Sequence, residues 1–167
     1  LDASLNWSGA SLTATGSFTI ANKPANGTLV IANTAALAKG ENSSIRLRIE
    51  TDPGRVAYEG NVSVRDTLFQ ATGSIIADGR SLREFLGQFG TSVPSPDGFG
   101  RFSLRSSIAI TPIALTLSNL LLELDGNRAD GGMTWKRDGN RSIIQGTLAS
   151  ESVDLSLYKG TLSLFSA

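Results

Sequence analysis

Apolar side chains fall on every second residue through most of this chain. Leu1, Ala3, Leu5 and Trp7 alternate with polar residues, Leu12, Ala14, Gly16, Phe18 and Ile20 resume the pattern, and Ile45, Leu47 and Ile49 sit between Arg46, Arg48 and Glu50. A period of two marks an extended strand with one face dry and one wet, because successive Cβ atoms point to opposite sides. A helix with that spacing would scatter its apolar residues around its whole circumference. The chain therefore builds a sheet, and the polar alternate positions point to an antiparallel one with a single buried side.

Turn residues punctuate the runs. Ser8-Gly9 ends the first, residues 23–27 (Lys-Pro-Ala-Asn-Gly) read as a loop before Leu29 and Ile31, and Asp52-Pro53-Gly54 is a strong turn signal. Val56, Tyr58, Val62 and Val64 make the next strand, and 68–77 another. Further on, Phe102, Leu104, Ile108 and Ile110 lead to a turn or kink at Thr111-Pro112, after which Ile113 restarts the alternation. Leu115 and Leu117 share one parity, whereas Leu120, Leu122 and Leu124 share the other. A β-bulge near Ser118-Asn119 keeps all of these leucines on one face. Asp125-Gly126-Asn127 and Asp138-Gly139-Asn140 read as hairpin turns flanking Ala129, Gly131, Met133 and Trp135. Ile144, Gly146 and Leu148 continue the meander, with a last strand expected at 153–157 and a further one at 161–165.

One segment has helical spacing. Ser81-Leu82-Arg83-Glu84 has the form of a capping box, Leu82, Phe85, Leu86 and Phe89 follow on one face, and Gly90 closes it. The expected fold is mainly β: a curved antiparallel sheet of hairpins, open or folded like a taco, with one amphipathic helix near 81–90. Residues 1–167 form one β-rich domain whose halves, 1–78 and 101–167, are joined by that helix and a loop at 91–100. The strand-like start without an initiator methionine reads as a segment of a longer precursor.

Composition narrows the function. With no histidine and no cysteine, the usual neutral-pH base, thiol nucleophile and commonest zinc ligands are missing, so no catalytic residue, metal or cofactor is expected. Asp125, Asp130 and Asp138 are the carboxylates a glycosidase would need, but they read as turn residues that bond their own backbone. Fifteen basic and fifteen acidic residues, spread without blocks, give no broad positive field for nucleic acid. Five Asn-x-Ser/Thr triplets, at Asn6, Asn26, Asn42, Asn61 and Asn140, arise readily in a chain so rich in these residues.

The order of motifs resembles the AsmA family of bacterial envelope proteins, near the C-terminal part of their periplasmic region. The matching positions are Leu124-Asp125-Gly126, Gly131-Gly132, Arg137-Asp138-Gly139, Gly146-Thr147-Leu148 and Val153-Asp154-Leu155. Upstream, the Ser81-to-Gly87 helix, Val93-Pro94 and Phe102-x-Leu104 follow in the same order. The resemblance implies a periplasmic array of curved sheet with an apolar trough, in a parent protein anchored in the inner membrane. It further implies a part in outer-membrane biogenesis, moving phospholipid between membranes.

On that reading Leu104, Ile108, Ile110, Leu115, Leu117, Leu120, Leu122, Leu124, Met133 and Trp135 line a groove for phospholipid acyl chains. From the pattern alone an ordinary core capped by Phe85 and Phe89 is the simpler reading of the same residues. Two other roles stay open. A scaffold would pair through exposed sheet edges with adjacent repeats, a second copy or its own terminal strand, and a carbohydrate binder would use Trp7, Trp135, Tyr58 and Tyr158.

Overall fold

The computed structural model describes residues 2–93, 97–139 and 141–158. Ten strands form one sheet in sequence order: β1 (Asp2–Ser8), β2 (Ser11–Ile20), β3 (Lys23–Ile31), β4 (Ser43–Thr51), β5 (Gly54–Arg65), β6 (Leu68–Gly79), β7 (Phe102–Thr111), β8 (Ala114–Leu124), β9 (Asn127–Asp138) and β10 (Arg141–Ala149). Every pairing is antiparallel. The expected open meander is thus the fold. The two halves are one sheet, because β6 and β7 pair from Ala71↔Ile110 to Gly79↔Phe102 while the helix and loop between them stand outside the ladder.

Several hairpins turn on two residues with positive φ, the type that matches strand twist. They are Ala21-Asn22, Asp66-Thr67 and Asp125-Gly126. The first corrects the loop expected at 23–27, which is strand β3 instead. Pro24 is tolerated there because the β3–β4 ladder starts only at Ala25, leaving no hydrogen bond on that side for proline to remove. Ile113 lies in the turn before β8 and not within the strand.

The expected helix is α2 (Leu82–Gln88), with the Ser81 hydroxyl accepting from the Glu84 N–H at 3.2 Å. A second helix, α1 (Thr34–Ala38), escaped the sequence reading. It is only five residues long and depends on Asn33, whose side-chain oxygen caps the Ala36 N–H at 2.9 Å. Residues 153–157 are not a strand: Asp154 is held by Asn127, the Ser156 N–H turns back to the Asp154 carboxylate, and a 3₁₀ turn spans Ser156–Tyr158. The strand expected at 161–165 lies outside the described residues.

Curvature comes from paired glycines. Gly60 and Gly73 face each other across β5 and β6. A Cβ on Gly60 would stand 2.1 Å from the Thr72 carbonyl oxygen and 2.6 Å from Gly73 Cα, and one on Gly73 would stand 2.2 Å from the Glu59 carbonyl oxygen. Real Cβ atoms essentially never come within 3.0 Å of such neighbours, so only glycine lets the two strands approach this closely on that side. Each strand has therefore tipped toward the side on which its partner's side chain would project, the same side as Val56, Tyr58 and Ile75. Gly54 and Gly79, also paired, repeat the close approach, with a Gly79 Cβ 2.2 Å from the Pro53 carbonyl oxygen. The sheet folds toward its apolar face along the β5–β6 seam.

Candidate functional site: the apolar wall

The strand register puts all ten expected groove residues on one face. Leu104 pairs with Leu122, Ile108 with Leu117, and Ile110 with Leu115. Leu117 then pairs with Met133 and Leu115 with Trp135. The bulge that this requires is present. Leu117 lies opposite Met133 but Leu120 lies opposite Gly131, so Ser118 and Asn119 together face Gly132, and Asn119 adopts φ 51°. Asparagine accepts this left-handed conformation better than most residues.

Ser106 interrupts the apolar run of β7 and sits inside the wall almost fully buried. Its hydroxyl lies 2.8 and 2.9 Å from the carbonyl oxygens of Ser107 and Ser118, satisfying the carbonyl that the bulge displaces.

The wall reaches well beyond the residues singled out from sequence. Cross-strand rows carry it through Ile75, Tyr58, Leu47, Leu29, Ala14 and Leu5 on β6 to β1, and through Ile144 and Leu148 on β10. The alternation that marked β7 to β9 was equally visible in these strands. Ile108, Leu117 and Leu120 are buried and Leu104, Ile110, Leu115, Leu122, Leu124 and Met133 are half-buried, while Trp135 is exposed. Toward the margins exposure rises to 69% at Leu5, 64% at Trp7 and 68% at Ile144.

The two short helices lie against the sheet at opposite ends of its centre, and residues 150–158 are tied to the start of β9 through Asn127 and Arg128. Helix α1 packs on β4 and β5, where the row Ser43, Val62 and Ala71 is buried. Helix α2 covers the other end: the Phe85 ring sits 5.4 Å from the Phe102 ring and 3.0 Å from where a Gly54 side chain would begin. Phe89, expected to cap with Phe85, touches its ring edge-on but stays 48% exposed. Gln88, three residues beyond Phe85, is buried with no partner for either amide atom. The sequence reading missed it because a polar residue at a helix end reads as solvated.

The opposite face is largely polar, with Ile76 and Leu121 exposed beside Arg105, and is stitched by directly opposed ion pairs, Arg46–Glu59 and Arg55–Asp78 at 2.9 Å and Arg128–Glu123 at 3.2 Å. Exposed pairs of this kind contribute little to stability, because water and salt screen them. Two hollows of 520 and 1730 Å³ are lined largely by this face. Twist makes a sheet saddle-shaped, so concavity on one face does not exclude it on the other.

Asp125 and Asp138 sit at hairpin turns as expected, but Asp130 lies within β9. Asp125 is a structural hub. Its carboxylate accepts from the N–H groups of Phe99 and Gly100 at 2.8 and 2.9 Å and from the Tyr158 hydroxyl at 2.6 Å. Burial, and then the hydrogen bond to Asp125, push the Tyr158 hydroxyl up to about 12. The folded protein thus holds this proton more tightly than the unfolded chain. Its stabilisation is complete below pH 10, the ordinary tyrosine value, and is lost as pH rises to about 12. Ultraviolet titration should show delayed phenolate formation, and Tyr158→Phe should remove that late component and flatten the alkaline loss of stability.

The four aromatics of the carbohydrate reading do not converge in sequence position along the sheet: Trp7 lies on β1, Tyr58 on β5 and Trp135 on β9, with Tyr158 on the 3₁₀ turn. Tyr58 is occupied by the wall itself, its hydroxyl donating toward the Asn61 and Thr72 carbonyls across the glycine seam.

No protein-family model matches the chain, and no curated protein or solved structure matches it significantly. The AsmA resemblance rests on the sequence motifs.

Proposed function

We propose that this chain is a non-enzymatic module of an AsmA-like periplasmic protein, and that its apolar wall is a conduit surface for phospholipid acyl chains in outer-membrane biogenesis. One observation carries the reading: a wall of aliphatic and aromatic side chains spans a ten-stranded sheet that folds toward it, and helices of only five and seven residues lie on it among the described residues. Sheets in ordinary domains bury such a face under a full second layer. The apolar side chains left exposed toward the wall's margins, at Leu5, Trp7, Trp135, Ile144 and Leu148, mark a place where another apolar body sits. Strands rise about 3.3 Å per residue, so those of nine to twelve residues that form the centre run roughly 30–40 Å, comparable to the hydrocarbon thickness of a bilayer, about 30 Å.

A second reading is favoured by the edges. β1 and β10 each lack a partner on one side among the described residues, and their continuous registers contain neither proline nor a bulge, two devices that keep edges from pairing. A module of this kind would extend its sheet by pairing with another repeat or a second copy.

Native mass spectrometry of protein purified from membranes tests both. Phospholipid adducts on a monomer are expected from the conduit; a clean apo mass overturns it. Apo oligomers that dissociate on dilution would favour the edge reading instead.

A further inference from the structure

We propose that the polar face carries a second interaction surface, on which two copies of this chain pair about a two-fold axis running along β8. The inference goes beyond the conduit reading and does not rest on it, because the apolar wall lies on the other side of the sheet. Five arginines line the larger hollow of the polar face. Arg55, Arg80 and Arg128 each pair with a carboxylate, on Asp78, Asp52 and Glu123. Arg101 and Arg105 have no side-chain partner among the described residues. Arg55 and Arg128 find an acid directly across the ladder, whereas Arg105 finds Ile76 on one side and Leu121 on the other. Leu121 is 55% exposed.

The same row selects the occupant. It continues from Leu121 to Asp130 on β9, which also lacks a side-chain partner among the described residues. Neighbouring strands lie about 4.8 Å apart, so Arg105 and Asp130 stand roughly 10 Å apart, too far to bond each other. Leu121 lies midway between them. A two-fold axis along β8 sets Leu121 against its own copy and turns β7 of each chain toward β9 of the other. Arg105 then meets Asp130 of the second copy, and the contact occurs twice. The other unpaired charges lining the hollow divide the same way: Arg101 directly precedes β7, and Glu151 follows β10 on the far side of β8. Glu123, the next residue of β8 on this face, brings its own counter-ion in Arg128 at 3.2 Å. Sheets stacked face to face sit about 10 Å apart, and a hollow of 1730 Å³ leaves space for the side chains of a second one.

Sedimentation velocity over a concentration series tests this with wild type and three variants, Arg105→Glu, Asp130→Lys and Leu121→Thr. Wild type should form a dimer that weakens as salt rises. Each charge variant alone should dimerise roughly tenfold or more weakly, because like charges then face each other. Mixing the two in equal amounts should restore a dimer containing one copy of each: the introduced glutamate faces the introduced lysine on one side, and the native Arg105–Asp130 pair remains on the other. Leu121→Thr keeps both charges and a strand-favouring residue, should also weaken the dimer, and keeps the test decisive where a charge variant folds poorly. A wild type that stays monomeric throughout overturns the proposal, as does a mixture of folded charge variants that associates no better than its components. An oligomer indifferent to all three substitutions overturns it too and belongs to the sheet edges instead.

Discussion

Deleting Asn119 should lower the melting temperature by on the order of 10–20 °C. The bulge formed by Ser118 and Asn119 is what lets Leu115 and Leu117 share a face with Leu120, Leu122 and Leu124. A one-residue slip moves every side chain beyond it to the other side of a sheet. Without the extra residue, either the first two leucines or the last three turn to the polar face. Burying a leucine side chain contributes about 1.5–3 kcal/mol, so two misplaced leucines cost about 3–6 kcal/mol, and each kcal/mol moves the midpoint of a domain this size by roughly 2–4 °C. Asn119→Gly is the control. It keeps the residue count and accepts φ 51° without strain, so its midpoint should stay close to wild type. Scanning calorimetry of the three proteins distinguishes a register effect from the loss of one side chain. A deletion variant as stable as wild type would mean that the leucines do not depend on the bulge.

Gly73→Val should cost about 3 kcal/mol in denaturant unfolding and weaken any lipid adduct as well. The new Cβ would meet the Glu59 carbonyl oxygen at 2.2 Å and Gly60 Cα at 2.6 Å. Both belong to backbone, which cannot swing aside as the tip of a long side chain can. Relief requires the β5–β6 seam to open, and opening it flattens the fold of the wall. Overpacking of this sort typically costs 1–3 kcal/mol even where neighbours adjust. Gly87→Ala supplies the contrast. It lies in α2 with no heavy atom within 4 Å of the added carbon, and should be neutral or stabilising by about 0.5–1 kcal/mol. Should Gly73→Val unfold at the wild-type denaturant midpoint, the seam is not held by the glycine pair.

Period-two alternation carried most of the fold, and the phase slip between Leu117 and Leu120 even located the bulge. Both signals are local, and the sheet is built from local pairings. The misreadings arose where a residue's meaning depends on a neighbour distant in sequence. Pro24 looks like a strand breaker until the ladder beside it is seen to start one residue later. Residues 153–157 alternate like a strand, yet Asn127 takes both backbone groups of Asp154 and no ladder forms. Helix α1 is too short to show a period and is fixed by its cap. For the site, parity was enough to gather the ten wall residues, but not to show how far the wall extends or which way it bends, since the bend lies in the pairing of Gly60 with Gly73 across two strands. Gln88 was invisible for a different reason: burial of a polar side chain is a tertiary property.

Among the described residues each strand hydrogen-bonds only to its neighbours in sequence, and no long-range pairing locks the ladder. A ribbon of this kind behaves as a nearly one-dimensional chain of coupled hairpins. Fraying should begin at the margins and stall at the glycine seam in the middle, and ordering needs to recruit only the adjacent hairpin at each step, a topology associated with rapid folding. Evolution can lengthen or shorten such a ribbon by whole hairpins while leaving the remainder of its architecture intact.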